Sequence, residues 1–214
     1  KTMLGPERKS RVITKKEREI TAYHEAGHAL VAHYLPNTDP VHKISIIARG
    51  RAGGYTLKLP SEDKHMHTKS EYLEEISVLL AGFLTEKFIY NEVTTGATSD
   101  LRRATQTARK LITDFGMSDE LGPRTFGQKE EMIFLGREIH EQKDYSEKVA
   151  EQIDEEINKF IDGAAKKADE IIRERKGDLQ KIVDLLLKQE TIEKDEFEKL
   201  LGKKKTNSDL DEKK

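Results

Sequence analysis

Apolar positions recur at helical spacing along most of this 214-residue chain. The first run sets Ile20, Tyr23, Gly27, Leu30, Val31 and Tyr34 near one stripe, and Pro36 ends it. Thr14 and Glu17 supply a T-x-x-E capping box just ahead of it, so the pattern predicts a helix over about 15–35. Thr68 and Glu71 repeat the signature before a second helix, expected over 69–90. That helix is apolar along Leu73, Ile76, Leu79, Leu80, Phe83 and Phe88. A third helix is predicted over 101–115, stopped by Gly116. A long charged amphipathic helix follows over 145–175, with Asp144 as its cap. Shorter helices are expected near 178–189 and 192–201, the second capped by Thr191 and ended by Gly202.

The pattern changes between 37 and 60. Val41 and Lys43 to Ile47 form one β-rich run, and Tyr55 to Leu59 form another. Gly50, Gly53 and Gly54 lie between them, so the segment reads as a hairpin. It is the one strand pair the pattern predicts. Residues 91–100 read as a loop leading into the third helix, and 117–143 as mixed, with loops at Gly122-Pro123 and Gly127. The fold class expected is mainly α: a helical domain with a small β-hairpin or sheet next to the first helix. The hairpin has two readings. It is a structural flap, or it is an edge on which an extended peptide backbone adds as a strand.

Composition narrows the function. Formal net charge is −2 with 36% charged residues. Without a sustained basic face or basic–aromatic interleaving, no nucleic-acid partner is expected. There are no cysteines, which excludes disulfides and thiolate metal sites and leaves His, Asp and Glu as ligands. No apolar run reaches bilayer-spanning length, so the chain as given is expected to be soluble. It begins without Met, and Gly5-Pro6-Glu7-Arg8 reads as a linker. The expected organisation is a linker over 1–13, one domain over 14–202 and a disordered charged tail over 203–214.

The chemistry concentrates in His24-Glu25-Ala26-Gly27-His28, an H-E-x-x-H motif on the first predicted helix. Residues four apart share a helix face, so both imidazoles reach one metal ion, and Glu25 lies beside them where it can hold a water. This is the core of a zinc peptidase site. Ala26 and Gly27 are small enough for a neighbouring element to approach closely. A catalytic zinc needs a third protein ligand. Val31 and Tyr34 exclude the metzincin extension. Asp100, closing a Gly-containing loop at a helix start, is the leading candidate, although the same position suits an ordinary helix-start carboxylate. Glu86 on the preceding helix is the other. His65 and His67 lie in a polar stretch and read as solvated. His33, His42 and His140 are isolated and read as structural or surface residues.

These residues resemble the peptidase domain of the FtsH-type ATP-dependent (AAA+) zinc metalloproteases, over nearly the whole chain. Gly5 to Ser10 resembles that family's junction after its ATPase domain, and Ala22-Tyr23-His24-Glu25-Ala26-Gly27-His28-Ala29 its zinc helix. Pro40 to Ile47 with Gly54-Tyr55-Thr56 resembles its hairpin. Thr94 to Leu101 resembles the loop carrying its Asp ligand. Phe115 to Ser118, Leu121 to Pro123, Tyr145-Ser146 and Ile153-Asp154 match as well. Around Ala81-Gly82-Phe83-Leu84-Thr85-Glu86-Lys87 the chain departs: Phe83 stands where the family has Arg, and Lys87 where it has a second Glu.

The resemblance implies one Zn²⁺ per chain held by His24, His28 and Asp100, with Asp100 favoured over Glu86. It implies a homohexamer, an ATPase domain in the same full-length chain, and unfolded or misfolded polypeptides as substrates. It also implies a membrane anchor in the full-length protein, with this domain facing the cytoplasm, or the matrix or stroma of an organelle. ATP would belong only to the missing ATPase domain, since no G-x-x-x-x-G-K-[ST] pattern is present here. Glu25 is expected to act as general base. Two other classes stay open at this point: a stand-alone zinc peptidase, and a non-catalytic assembly module with a structural zinc.

Overall fold

A computed structural model describes residues 14–48, 53–60, 64–127 and 144–204. The elements run α1 (Lys15–Tyr34), β1 (Val41–Ser45), β2 (Tyr55–Lys58), α2 (Lys69–Tyr90), α3 (Thr98–Thr113), α4 (Glu147–Glu174), α5 (Lys176–Gln189), β3 (Thr191–Glu193) and α6 (Lys194–Leu201). A 3₁₀ turn over Thr95–Ala97 leads into α3. The fold is mainly α with one small sheet, as the apolar periodicity implies. The expected linker over 1–13, the hairpin turn around Gly50, His140 and the tail from 205 onward lie outside the described residues.

Local sequence sets the helix starts. The Glu17 amide donates to Thr14 Oγ1 (3.1 Å) and the Thr14 amide to Glu17 Oε2 (3.0 Å), closing the capping box on α1. Thr68 and Glu71 do the same for α2, at 3.3 and 2.7 Å. Each box satisfies two amides that the first turn would leave without an intrahelical partner.

Three boundaries differ from the sequence expectation. The cap of α4 is Ser146, which accepts from the Val149 amide, rather than Asp144. Asp144 instead accepts from the Gly127 amide at 2.7 Å, a contact across the chain that helical periodicity does not register. Thr191 does not cap the last helix. It belongs to β3, where its hydroxyl meets Ser45 Oγ at 3.0 Å, and Glu193 caps α6. α3 starts earlier than expected, at Thr98, so Asp100 sits within its first turn.

The sheet order is β2-β1-β3, antiparallel throughout. β1 is central, with Ile44 opposite Thr56 on one side and Ile192 on the other. Among the described residues β2 is therefore an outer strand. β3 has only three residues and runs straight into α6, too short to show an alternating signature.

α1 is buried on all sides from Ala22 to His33. One core surrounds it, built with Ile44, Ile172, Leu179, Ile182, Leu186 and Phe197. A second core joins α2, α3 and α4 through Ile76, Leu80, Leu111, Ile112, Ile153 and Ile157. α2 serves both, turning Val78 and Ala81 to the first and Leu79 and Leu80 to the second. The α1–α2 contact is close because position 27 lacks a side chain: a Cβ there would lie 2.2 Å from Thr85 Oγ1 and 2.9 Å from the Ala81 carbonyl. The far end of α1 is closed by Lys204, whose ammonium donates to Leu35 O (2.5 Å), Thr38 Oγ1 (2.8 Å) and the Ala32 carbonyl.

Candidate metal centre

His24 and His28 project from the middle of α1, one turn apart, and both are buried. Each ring is fixed through Nδ1. His24 Nδ1 is 2.7 Å from Glu86 Oε1, and His28 Nδ1 is 2.6 Å from the Val78 carbonyl. A carbonyl can only accept, so His28 carries its proton on Nδ1, and the Glu86 carboxylate selects the same tautomer in His24. With Nδ1 engaged in this way, each ring turns its Nε2 inward. The two Nε2 atoms are 3.1 Å apart, and Asp100 Oδ2 stands 3.3 Å from the first and 3.6 Å from the second.

Three lone-pair donors converging in this way repel one another unless a cation lies between them. A tetrahedral zinc bonded at about 2.0–2.1 Å separates its ligand atoms by about 3.3 Å. The observed spacings fit that requirement, and the donor set of two imidazoles and a carboxylate suits zinc. The electrostatics carry the same message. Burial lowers the His24 pKa, but hydrogen bonds to Asp100 and Glu86, helped by the charges of Glu25 and Glu86, outweigh it and raise the value to about 10. Burial pushes Asp100 upward, but its bonds to His24 and His28 hold it well below the usual carboxylate range.

The sequence-derived residues separate here. Asp100 joins the two Nε2 atoms. Glu86 does not; it sits behind His24, 1% exposed, and also accepts from the Thr94 amide at 2.7 Å. It thus ties the His24 ring to the loop that leads to Asp100. Burial raises the Glu86 pKa, but these two bonds outweigh it and leave the carboxylate ionised. Glu25 is buried beside the histidines in the lining of the same cleft, and burial pushes its carboxyl upward. Thr56 Oγ1 donates to Glu25 Oε2 at 2.8 Å. His65 and His67 are exposed, His67 against the Tyr72 ring, and His33 is buried against Tyr34 and Phe197, far along α1. His42 is half-buried on β1. A cleft of about 1440 Å³ opens over the histidines, bordered by β2 and the start of α3.

Sequence reasoning did not identify four contributors to this site. The Val78 carbonyl orients His28. Gly82 receives the His24 imidazole, since a Cβ there would lie 2.4–2.7 Å from three ring atoms. Gly54 receives Glu25 in the same way, and Thr56 bonds its carboxylate. A backbone carbonyl has no sequence signature. The glycines lie in runs that helix and turn rules already explain.

Residues 11–200 match the profile of peptidase family M41. Over 210 residues, 98% of this chain, the sequence is 49% identical to the ATP-dependent zinc metalloprotease FtsH 1 of Thermomicrobium roseum. It is 50% identical over 201 residues to the ATP-dependent zinc metalloprotease FtsH of Caldicellulosiruptor bescii, and 47% over 203 residues to that of Thermotoga maritima, 94% of this chain in each case. The chain spans about a third of the length of these curated relatives (32%, 33% and 33%). With the match running through the zinc helix, the sheet and the loop of Asp100 together, the chain belongs to peptidase family M41.

Proposed function

We propose that this chain is the proteolytic domain of an ATP-driven zinc endopeptidase that hydrolyses unfolded or misfolded polypeptides. The observation that carries the reading is the convergence of His24 Nε2, His28 Nε2 and Asp100 Oδ2, with the Glu25 carboxylate beside them. His24, His28 and Asp100 would hold one Zn²⁺. When bound, the ion supplies Lewis acidity toward a water and a substrate carbonyl. Glu25 takes the proton of the attacking water on its carboxylate and returns it to the leaving amine. Burial supports this role, because it raises the carboxyl pKa towards the range in which a base can also act as an acid. Glu86 and the Val78 carbonyl hold the two rings in the tautomer that faces the ion. Strand β2, last in the sheet order, borders the cleft, where an extended substrate backbone would lie alongside it.

The relatives' names support an ATPase in the same full-length chain. Resemblance to the family supports a homohexamer and a membrane anchor elsewhere in that protein, with this domain facing the cytoplasm, matrix or stroma. No helix among the described residues is long and apolar enough to cross a membrane.

The test is cleavage of an unfolded polypeptide by the full-length protein with Zn²⁺ and ATP, beside Glu25→Gln. The variant is expected to retain zinc and to lose about 10²–10⁴-fold in turnover. Loss of zinc from the variant would make Glu25 a ligand instead, and equal turnover would refute the reading.

A further inference from the structure

The Glu25 carboxylate is held from the sheet rather than from its own helix. Thr56 Oγ1 lies 2.8 Å from Glu25 Oε2 and 3.2 Å from the Glu25 carbonyl. A hydroxyl has one proton to give. The carbonyl lies in the middle of α1, where it accepts the amide four residues on, so the proton goes to the nearer carboxyl oxygen. The other carboxylate oxygen meets a wall. A Cβ at Gly54 would stand 2.9 Å from Glu25 Oε1, 2.9 Å from its Cγ and 2.8 Å from the Ser45 carbonyl. One short stretch of chain, from Gly54 to Thr56, thus bonds one oxygen of this buried acid and packs against the other.

We propose that Thr56 is a positioning residue for Glu25: its hydroxyl fixes the carboxylate against the Gly54 backbone so that the base points at the water to be deprotonated. The inference rests on the reading of Glu25 as general base. It also makes β2 do two things. The strand that borders the cleft also carries the group that aims the base. Register supports this, since Thr56 pairs with Ile44 at the centre of the sheet, and Ile44 is fully buried.

The experiment uses the full-length zinc-loaded protein with an unfolded polypeptide and compares Thr56→Val, Thr56→Ala and Thr56→Ser. Val keeps the shape and β propensity while removing the donor, and Ala removes it with less bulk. Both should lower kcat about tenfold, equivalent to about 1.4 kcal/mol in the barrier, with KM within about twofold. Zinc content and melting temperature should stay at the parent values, and Ser should recover most of the lost turnover. In a Glu25→Gln background, Thr56→Val should cause no further loss, because the group it positions is gone. Parental kcat in Thr56→Val and Thr56→Ala would overturn the inference. So would a further tenfold loss on top of Glu25→Gln, or a Ser variant as slow as Val. If Glu25→Gln is inactive while Thr56→Val is fully active, this inference alone fails. If Glu25→Gln turns over like the parent, the reading of Glu25 fails and takes this inference with it.

Discussion

Gly82→Ala exposes how tightly the His24 ring is seated. In an exposed helix interior this change gains stability, about 0.5–1 kcal/mol, by removing backbone freedom from the unfolded chain. At Gly82 the new methyl carbon would stand 2.4 Å from His24 Cε1, 2.5 Å from Nε2 and 2.7 Å from Nδ1. Ordinary contact begins at about 3.4 Å, so about 1 Å must be found. The ring cannot supply it freely, because Nδ1 is bonded to Glu86 at 2.7 Å and Nε2 faces His28 and Asp100. Helix α2 cannot supply it either. One turn earlier its Val78 carbonyl holds His28 at 2.6 Å, so a shift of the helix drags the second imidazole. Zinc–ligand distances tolerate only about ±0.2 Å. The displacement exceeds that tolerance several-fold, and zinc affinity should fall at least about tenfold, the lower end for loss of an outer-shell support. Competition with a chromogenic chelator reads the affinity. Gly163→Ala is the control: at this exposed position of α4 an added Cβ meets nothing within 4 Å, so it should stabilise by about 0.5–1 kcal/mol and leave zinc binding alone. Equal zinc affinities for the two variants would refute the reasoning, because the seat at Gly82 would then be looser than its contacts require.

Two further predictions follow from buried charge. Glu86→Gln leaves a single accepting oxygen for two donors, His24 Nδ1 and the Thr94 amide, and should weaken zinc about 10–100-fold, measured by the same competition; parental affinity would show that His24 needs no such partner. His33 is buried between aromatic rings, and burial together with Lys204 lowers its pKa to about 4. Its unfolded value is about 6.5, so between those limits the unfolded chain binds the extra proton. Stability contributed by the neutral ring is then complete above about pH 6.5 and is lost on acidification towards pH 4, by about 3 kcal/mol. His33→Phe should flatten that part of the stability–pH curve in denaturant titrations, and an unchanged slope would rule the mechanism out.

Much of this was legible in local sequence because the forces involved are local. Two histidines at i and i+4 share a helix face whatever packs against it, and T-x-x-E closes a capping box using atoms within one turn. Asp144 and Ser146 show the limit. Either could cap α4, and a distant amide, that of Gly127, takes Asp144 out of the competition. β3 shows another: three residues gain strand geometry only because β1 has an open edge beside them.

The sequence by itself thus determined the helices, the face on which His24 and His28 project, and a short choice between two carboxylates. The tertiary structure decided which carboxylate meets the Nε2 atoms and which stands behind His24, through contacts 76 and 62 residues apart in the chain. It also decided that Val78 orients His28, that Gly82 receives the His24 ring, and that Thr56 and Gly54 grip Glu25. Periodicity states which face of an element is buried. Which atom a buried side chain meets depends on how two elements are packed, and that is fixed only when the cores on both sides of α2 close together.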